Sequence, residues 1–163
     1  MRSPDAERQD IFSANPMVEG FLSTMLQDAQ YREADEACSE EREARDTGTI
    51  YDCPDATLRA VIAECDQFIT AARAVNVTDD VNLATFCNQA WNHVRKQIGS
   101  DLYLERAGHG AGFRDRDIWA CDDRDLNRRI GRALSDLVAR HPSLETYVGD
   151  DGALYIVGQE SAT

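Results

Sequence analysis

Membrane-spanning segments, secretory signals and paired cysteines are all missing from this sequence. No apolar run approaches the ~18 residues that a membrane-spanning helix needs. The N-terminal segment MRSPDAERQD has neither the basic start nor the apolar core of a signal peptide. The five cysteines are odd in number and include no CxxC pair, which argues against a disulfide framework. We therefore expect a cytoplasmic protein with no membrane partner.

Basic residues are also scarce. The chain has 17 Lys and Arg against 30 Asp and Glu, for a formal net charge of −13. Because a nucleic-acid backbone is bound through Lys and Arg, this balance argues against direct nucleic-acid binding. The acidity is concentrated in residues 1–55, which hold 14 acidic and 5 basic side chains. Such a localised charge favours a partner protein with a basic surface, and it leaves the oligomeric state open.

The length and composition are typical of one globular domain. A chain of 163 residues is long enough to bury its own core, and 42 % of its residues are hydrophobic. We predict a single domain over residues 1–163, with a helical part at 13–99 and a hairpin–helix–hairpin part at 100–157. The ends, residues 1–12 and 158–163, are expected to be flexible.

Three N-terminal helices follow from capping residues and apolar periodicity. Asn15-Pro16 is typical of a helix start, and the apolar stripe that follows runs through Ala29. The helix either ends near Tyr31 or continues to about Arg42 with acidic side chains in solvent, and a modest second apolar seam favours the longer form. A second helix is predicted from residue 55, and a third from residue 79 or 80 to Gly99.

The C-terminal third predicts strands. Leu102–Leu104 and residues 113–115 flank a glycine-rich loop, as in a hairpin. Asp122 or Asp123 is expected to cap a fourth helix that ends at His141-Pro142. A closing hairpin is predicted around the turn at 149–152, because Asp-Gly between two β-rich runs is a strong hairpin signal. The predicted fold class is therefore α+β, with a small antiparallel sheet of two hairpins around a fourth helix.

Acidic side chains supply most of the candidate partner-binding residues. On the first helix Glu33, Glu36, Glu40 and Glu43 recur at helical spacing and define one acidic face. Trp119 lies beside a second, mixed Asp/Arg segment and is a candidate surface anchor, whereas Trp91 lies on a core stripe. The candidate partner-binding residues are Glu33, Asp35, Glu36, Glu40, Glu41, Glu43, Asp115, Asp117 and Trp119.

The glycine-rich loop is the one local stretch that resembles a ligand site. Its candidate residues are Gly108, His109, Gly110 and Gly112. Alternating glycines allow backbone N–H groups to surround an anion, but the pattern also suits a tight turn in which His109 is exposed or caps a helix. Nucleotide-binding fingerprints, a GxSxG nucleophile and metal-ligand spacings are all missing. We predict no catalytic residue, no metal, no cofactor and no enzyme activity.

Two segments carry a resemblance to a known group of proteins. They are LERAGHGAGFRDR at 104–116 and YVGDDGALY at 147–155. Both resemble small acidic proteins of bacteriophages and mobile elements, although Glu105, Ala107 and Arg114 replace the Thr, Asn and Trp that are usual there. The resemblance implies a phage or prophage origin and a bacterial cytoplasm rather than an activity.

Charge and resemblance together predict a phage-encoded inhibitor. It would bind a host nucleic-acid-handling defence protein, as anti-CRISPR and anti-restriction proteins do, and block its basic surface. One alternative is a phage accessory or regulatory protein that binds some other partner, or a small ligand through the glycine-rich loop. The other is a small hydrolase that uses His109 together with Asp115 or a cysteine.

Overall fold

A computed structural model describes residues 3–120 and 122–157 of the chain. Helices dominate this part, and a two-stranded antiparallel sheet closes it, with Tyr147 opposite Tyr155. The elements are α1 (Pro4–Ala14), α2 (Pro16–Ser39), α3 (Asp55–Ala72), α4 (Leu83–Gln89), α5 (Asn92–Arg106), a 3-10 turn (Phe113–Asp115), α6 (Arg124–Val138), β1 (Thr146–Val148) and β2 (Leu154–Ile156).

The predicted α+β fold class with two hairpins is wrong. The described residues form six α-helices and a single hairpin. Leu102–Leu104, predicted as a strand, belong to α5, because Leu102 extends the buried stripe of Val94 and Ile98 at a spacing of four residues. Residues 113–115 form the 3-10 turn instead of a returning strand. A three-residue apolar run fits a helix as well as a strand, and tertiary contacts decided for the helix.

Two glycines explain why α5 continues through the predicted stop at Gly99. A Cβ atom on Gly99 would lie 1.9 Å from the carbonyl oxygen of Met17, and one on Gly20 would lie 1.9 Å from that of Lys96. The backbones of α2 and α5 therefore touch at this crossing. Four residues further along each helix, the hydroxyl oxygens of Thr24 and Ser100 are 2.5 Å apart. Since Gly20 meets Lys96 and Thr24 meets Ser100, the two helices run in the same direction.

Several predicted boundaries agree with the structure. Helix α2 begins at Pro16, α3 begins at Asp55, and Asp123 caps α6 by accepting a hydrogen bond from the Leu126 N–H at 2.9 Å. The closing hairpin also forms where it was predicted. These features are local: each depends on a cap, a turn or a periodic apolar face within a few residues.

The third predicted helix is divided into two. Ala90 and Trp91 adopt extended backbone angles between α4 and α5, and the first of these helices is capped by Asn82 rather than by Asp79 or Asp80. The Asn82 side chain accepts hydrogen bonds from the N–H groups of Ala84 and Thr85 in the first turn of α4. This division places Trp91 outside the helical stripe on which we had predicted it.

Part of the N-terminal segment that we predicted to be flexible contributes to the core. Ser3 caps α1, and Phe12 on that helix is buried with its ring 5.5 Å from that of Tyr51. Residues 1–2 and 158–163, the remainder of the two predicted flexible ends, lie outside the described residues.

Candidate functional site

The end of α2 is organised around a buried carboxylate. Glu33 is 3 % exposed; its Oε1 accepts hydrogen bonds from the Arg42 guanidinium at 2.5 Å and from the Arg45 backbone N–H at 2.8 Å. These two bonds lower the pKa of Glu33 below its ordinary value, and the bond from Arg42 has the larger effect. Arg42 also contacts the carboxylates of Glu40 at 2.6 Å and Glu36 at 3.9 Å. One arginine therefore holds three acidic side chains in place.

A helix-ending motif turns the chain back onto α2 so that these contacts form. The N–H of Arg42 donates to the carbonyl of Ala37, and that of Glu41 donates to the carbonyl of Cys38. This pair of bonds is the Schellman motif. Glu41 occupies its left-handed position with φ +54°, where glycine is the usual residue.

The β-hairpin adds further acidic side chains to the same end. Arg45 donates to the carbonyl of Val148 at 3.3 Å and lies 3.7 Å from the Asp150 carboxylate. A Cβ atom on Gly152 would lie 2.5 Å from the carbonyl oxygen of Asp46, so the hairpin turn is packed against the segment after α2. We call residues 33–46 and 150–151 the acidic end.

The acidic end holds more than half of the net charge of the chain. Its acidic residues are Glu33, Asp35, Glu36, Glu40, Glu41, Glu43, Asp46, Asp150 and Asp151. Nine carboxylates face two arginines, Arg42 and Arg45, for a formal charge of −7. Since both arginines are engaged by acidic-end carboxylates, the exposed surface of this end is almost purely acidic.

Three of the predicted partner-binding residues lie elsewhere. Asp115 accepts a hydrogen bond from the Gly112 N–H, and Asp117 accepts one from the Asn127 side chain. Both lie on the segment packed against α6. Trp119 is 4 % exposed and donates its indole N–H to the carbonyl of Phe113 at 2.9 Å, so the predicted surface anchor is a core residue.

Asp150 and Asp151 were not predicted as members of the acidic end. Residues about 110 positions apart in sequence give no local signal that they will meet. Glu33 was predicted to lie in solvent, because the spacing of the glutamates on α2 does not show that Arg42 returns to bind one of them.

The glycine-rich loop ends α5 with a second helix-ending motif. The N–H of Gly108 donates to Glu105 and that of His109 to Leu104, the Schellman bonds again, with Gly108 at φ +76°. Farther along, the N–H groups of Gly112 and Phe113 donate to the carboxylates of Asp115 and Glu105. Most donors of the loop are therefore already bonded within the protein.

The same loop places His109 over a cleft of about 480 Å³. His109 Nε2 lies 3.3 Å from Asp28 Oδ2, the atom that also accepts a hydrogen bond from the Tyr103 hydroxyl at 2.5 Å. Burial, together with the neighbouring Asp28, raises the pKa of Tyr103 to about 12. Arg32 approaches Asp28 at 3.3 Å, while its terminal nitrogens donate to Thr146. The proximity of Asp28 to His109 was not predicted from the sequence, because they lie 81 positions apart in the chain.

The buried cysteines have the properties of core residues. Burial raises the pKa of Cys53 to about 11 and that of Cys87 to about 12, and it raises the pKa of Cys65 as well. A thiol that stays protonated at neutral pH is a poor nucleophile. Within residues 3–120 and 122–157, no group of His, Cys, Asp and Glu side chains is arranged to hold a metal ion.

Comparisons with protein-family models, curated proteins and solved structures found no match for this chain. The resemblance to small phage proteins therefore stays a prediction. Among the helices described above, none combines the length and the apolar composition that crossing a bilayer requires.

Proposed function

We propose that this chain is a phage-encoded inhibitor whose acidic end covers a basic surface of a host nucleic-acid-handling defence protein. The observation that supports the proposal is the gathering of nine carboxylates from two distant segments against only two arginines. Internal contacts hold part of this set in position, which reduces the entropy lost when a partner binds.

The magnitude of the charge favours masking of the partner over full imitation of a duplex. One strand of DNA carries a charge every ~3.4 Å, so nine carboxylates correspond to about 30 Å of a single strand. A duplex of that length carries about twice as many charges. The acidic end thus matches one strand in number, and several of its carboxylates are shared with Arg42 and Arg45.

A pair of charge variants tests the proposal. The acidic-end variant carries Asp35→Asn, Glu41→Gln and Glu43→Gln, whose carboxylates form no ion pair within the described residues. The control variant carries Asp5→Asn, Asp66→Asn and Asp122→Asn, exposed carboxylates elsewhere that are likewise unpaired in this part of the chain. Both variants change the net charge by the same amount.

The measurement is phage plating on bacteria that carry a defined CRISPR or restriction system and express each chain. We expect the unmodified chain and the control variant to restore plating, and the acidic-end variant to restore much less. In vitro, binding to the defence complex should weaken as the salt concentration rises from about 0.05 M to 0.3 M, because salt shortens the range of the electrostatic attraction between the two proteins. The proposal would be contradicted if both variants restored plating equally. It would also be contradicted if the unmodified chain did not restore plating at all.

The cleft at His109 supports a second candidate function, a small hydrolase. With His109 Nε2 held by the Asp28 carboxylate, His109 Nδ1 is free to accept a proton from a water molecule. The water oxygen then attacks the carbonyl carbon of an ester, and the alkoxide that leaves takes the proton from His109. The test is hydrolysis of p-nitrophenyl acetate by the unmodified chain, by His109→Ala and by Asp28→Asn. His141→Ala, at an exposed position outside the cleft, is the control. Rates that are equal in all four proteins would dismiss this function.

A further inference from the structure

Trp91 forms one wall of an apolar groove on the surface of the protein. The groove has a volume of about 330 Å³ and lies between α4, the start of α5 and the segment before Trp119. Its larger apolar lining residues are Val81, Phe86, Trp91, Val94, Ile118 and Trp119. We call it the Trp91 groove.

The exposure of its walls distinguishes this groove from the rest of the described surface. Trp91 is 72 % exposed and Ile118 is 40 % exposed. Tyr31 and Val157 are the other exposed large hydrophobic side chains in residues 3–120 and 122–157, and neither lines the groove. Tryptophan is one of the residues enriched at the energetic centres of protein interfaces. The ring of Trp91 also packs edge-on against that of His93 at 5.5 Å, which limits its freedom before a partner arrives.

Charge at the rim indicates what the groove binds. Asp80 lines the groove and Asp79 precedes it; both are exposed, and neither forms an ion pair with another described residue. The polar edge of the groove therefore lacks a positive partner. A complementary segment carries a basic side chain next to its apolar one.

We infer that the Trp91 groove binds an apolar side chain of a partner protein, flanked by a lysine or arginine that pairs with Asp79 and Asp80. This inference rests on the proposed function in one respect, that the partner is basic. It adds an apolar anchor to an interface that charge alone would make weak and sensitive to salt.

The groove and the acidic end lie at opposite ends of the α2–α5 pair. Gly20 of α2 meets Lys96 of α5, and Trp91 immediately precedes α5, whereas Glu40 follows the end of α2. Because the helices run in the same direction, the rise per residue places Glu40 about 30 Å beyond Gly20. The two surfaces can therefore be altered separately.

The experiment titrates the full chain with short peptides and follows the amide and indole resonances of the protein by NMR. The probe is acetyl-Lys-Phe-Leu-Lys-amide. Its controls are acetyl-Glu-Phe-Leu-Glu-amide, which has the same apolar content, and acetyl-Lys-Gly-Gly-Lys-amide, which has the same charge. We expect the first peptide to shift the resonances of Trp91 and Ile118. Both control peptides should bind to the groove with an affinity at least about tenfold lower.

Two variants complete the test. Trp91→Ser should abolish the shifts at Ile118, while Tyr31→Ser, at an equally exposed aromatic residue outside the groove, should leave them unchanged. Equal binding of the basic and acidic peptides, or unchanged shifts in Trp91→Ser, would overturn the inference. Self-association that depends on Trp91, seen by sedimentation, would also overturn it in favour of a second copy. The acidic-end variant should keep the peptide shifts at the groove even if plating shows that the proposed function is wrong.

Discussion

At the residue scale, the two tryptophans have exchanged the roles that the sequence predicted for them. Trp119, beside an Asp/Arg segment, is packed against Phe113 with ring centroids 5.9 Å apart. Trp91, at the spacing of an apolar stripe, is exposed because the chain leaves the helix at that point. The charge of sequence neighbours therefore did not predict burial. What decides burial is the direction in which the backbone presents the side chain.

This exchange predicts opposite costs of truncation. Trp119→Ala should lower the free energy of unfolding by about 3–5 kcal/mol, because it empties a volume in the core and removes the hydrogen bond to the Phe113 carbonyl. Trp91→Ala should change it by less than about 0.5 kcal/mol, as surface substitutions usually do. Urea unfolding of the two variants and the unmodified chain measures the difference. Similar costs for both would show that the core is not packed around Trp119.

Glu33 predicts a dependence of stability on pH. Its pKa is lowered in the folded protein by the hydrogen bonds from Arg42 and Arg45, so its ionised form stabilises the fold. That contribution is present above the unfolded pKa of about 4.3 and is lost as the pH falls through the lower folded pKa. Glu33→Gln should therefore be less stable than the unmodified chain at pH 7, and the difference should shrink below about pH 4.

Thermal unfolding of both proteins across pH 3–7 tests this expectation. Glu43→Gln is the control, because Glu43 is exposed and its carboxylate forms no ion pair within the described residues. If the difference in stability between Glu33→Gln and the unmodified chain stays constant with pH, the lost stability comes from packing and not from the charge of Glu33.

At the element scale, the crossing of α2 and α5 determines where the proposed functional surfaces lie. The contact between Gly20 and the Lys96 backbone brings the helices together, and Asp28 and Tyr103 meet one helical turn beyond Thr24 and Ser100. Gly99 was predicted to be a helix stop, which is the usual meaning of a glycine after an apolar run. A glycine that lets two backbones touch has the same sequence signature, and only the partner helix distinguishes the two cases.

This crossing predicts that alanine is harmful at both glycines. Alanine normally stabilises a helix interior by up to about 1 kcal/mol over glycine. At Gly20 and Gly99 the new Cβ would lie 1.9 Å from a backbone oxygen, so the helices must separate. We expect Gly20→Ala and Gly99→Ala each to cost about 1–3 kcal/mol despite the gain in helix propensity. Ser23→Ala, at an exposed position of α2, is the control and should be nearly neutral; equal effects at all three positions would contradict the close crossing.

At the scale of the whole molecule, the acidic end is a site of self-repulsion as well as the proposed interface. A net charge of −13 disfavours a compact state, and −7 of it is concentrated in one place. Unpaired carboxylates there repel each other over a Debye length of about 10 Å at 0.1 M salt, which falls to about 3 Å at 1 M.

Salt should therefore stabilise the folded chain. In about 0.05 M salt the acidic-end variant should unfold at a higher urea concentration than the control variant of equal charge. The difference should become smaller in about 1 M sodium chloride, where screening removes most of the repulsion. Fluorescence-detected urea unfolding measures both midpoints. If the two variants are equally stable at low salt, the repulsion is spread over the whole surface and is not concentrated at the acidic end.

The sequence alone determined the excess of acid, the starts of α2, α3 and α6, and the closing hairpin. These depend on composition and on contacts between near neighbours: a proline at a first helical position, an aspartate cap, a glycine in a turn. Tertiary structure decided which carboxylates stay in solvent and which tryptophan is buried. It also joined residues 150–151 to 33–46. Those outcomes depend on contacts between residues far apart in the chain, such as Arg45 with Asp150 and Gly99 with Met17, and no local pattern specifies them.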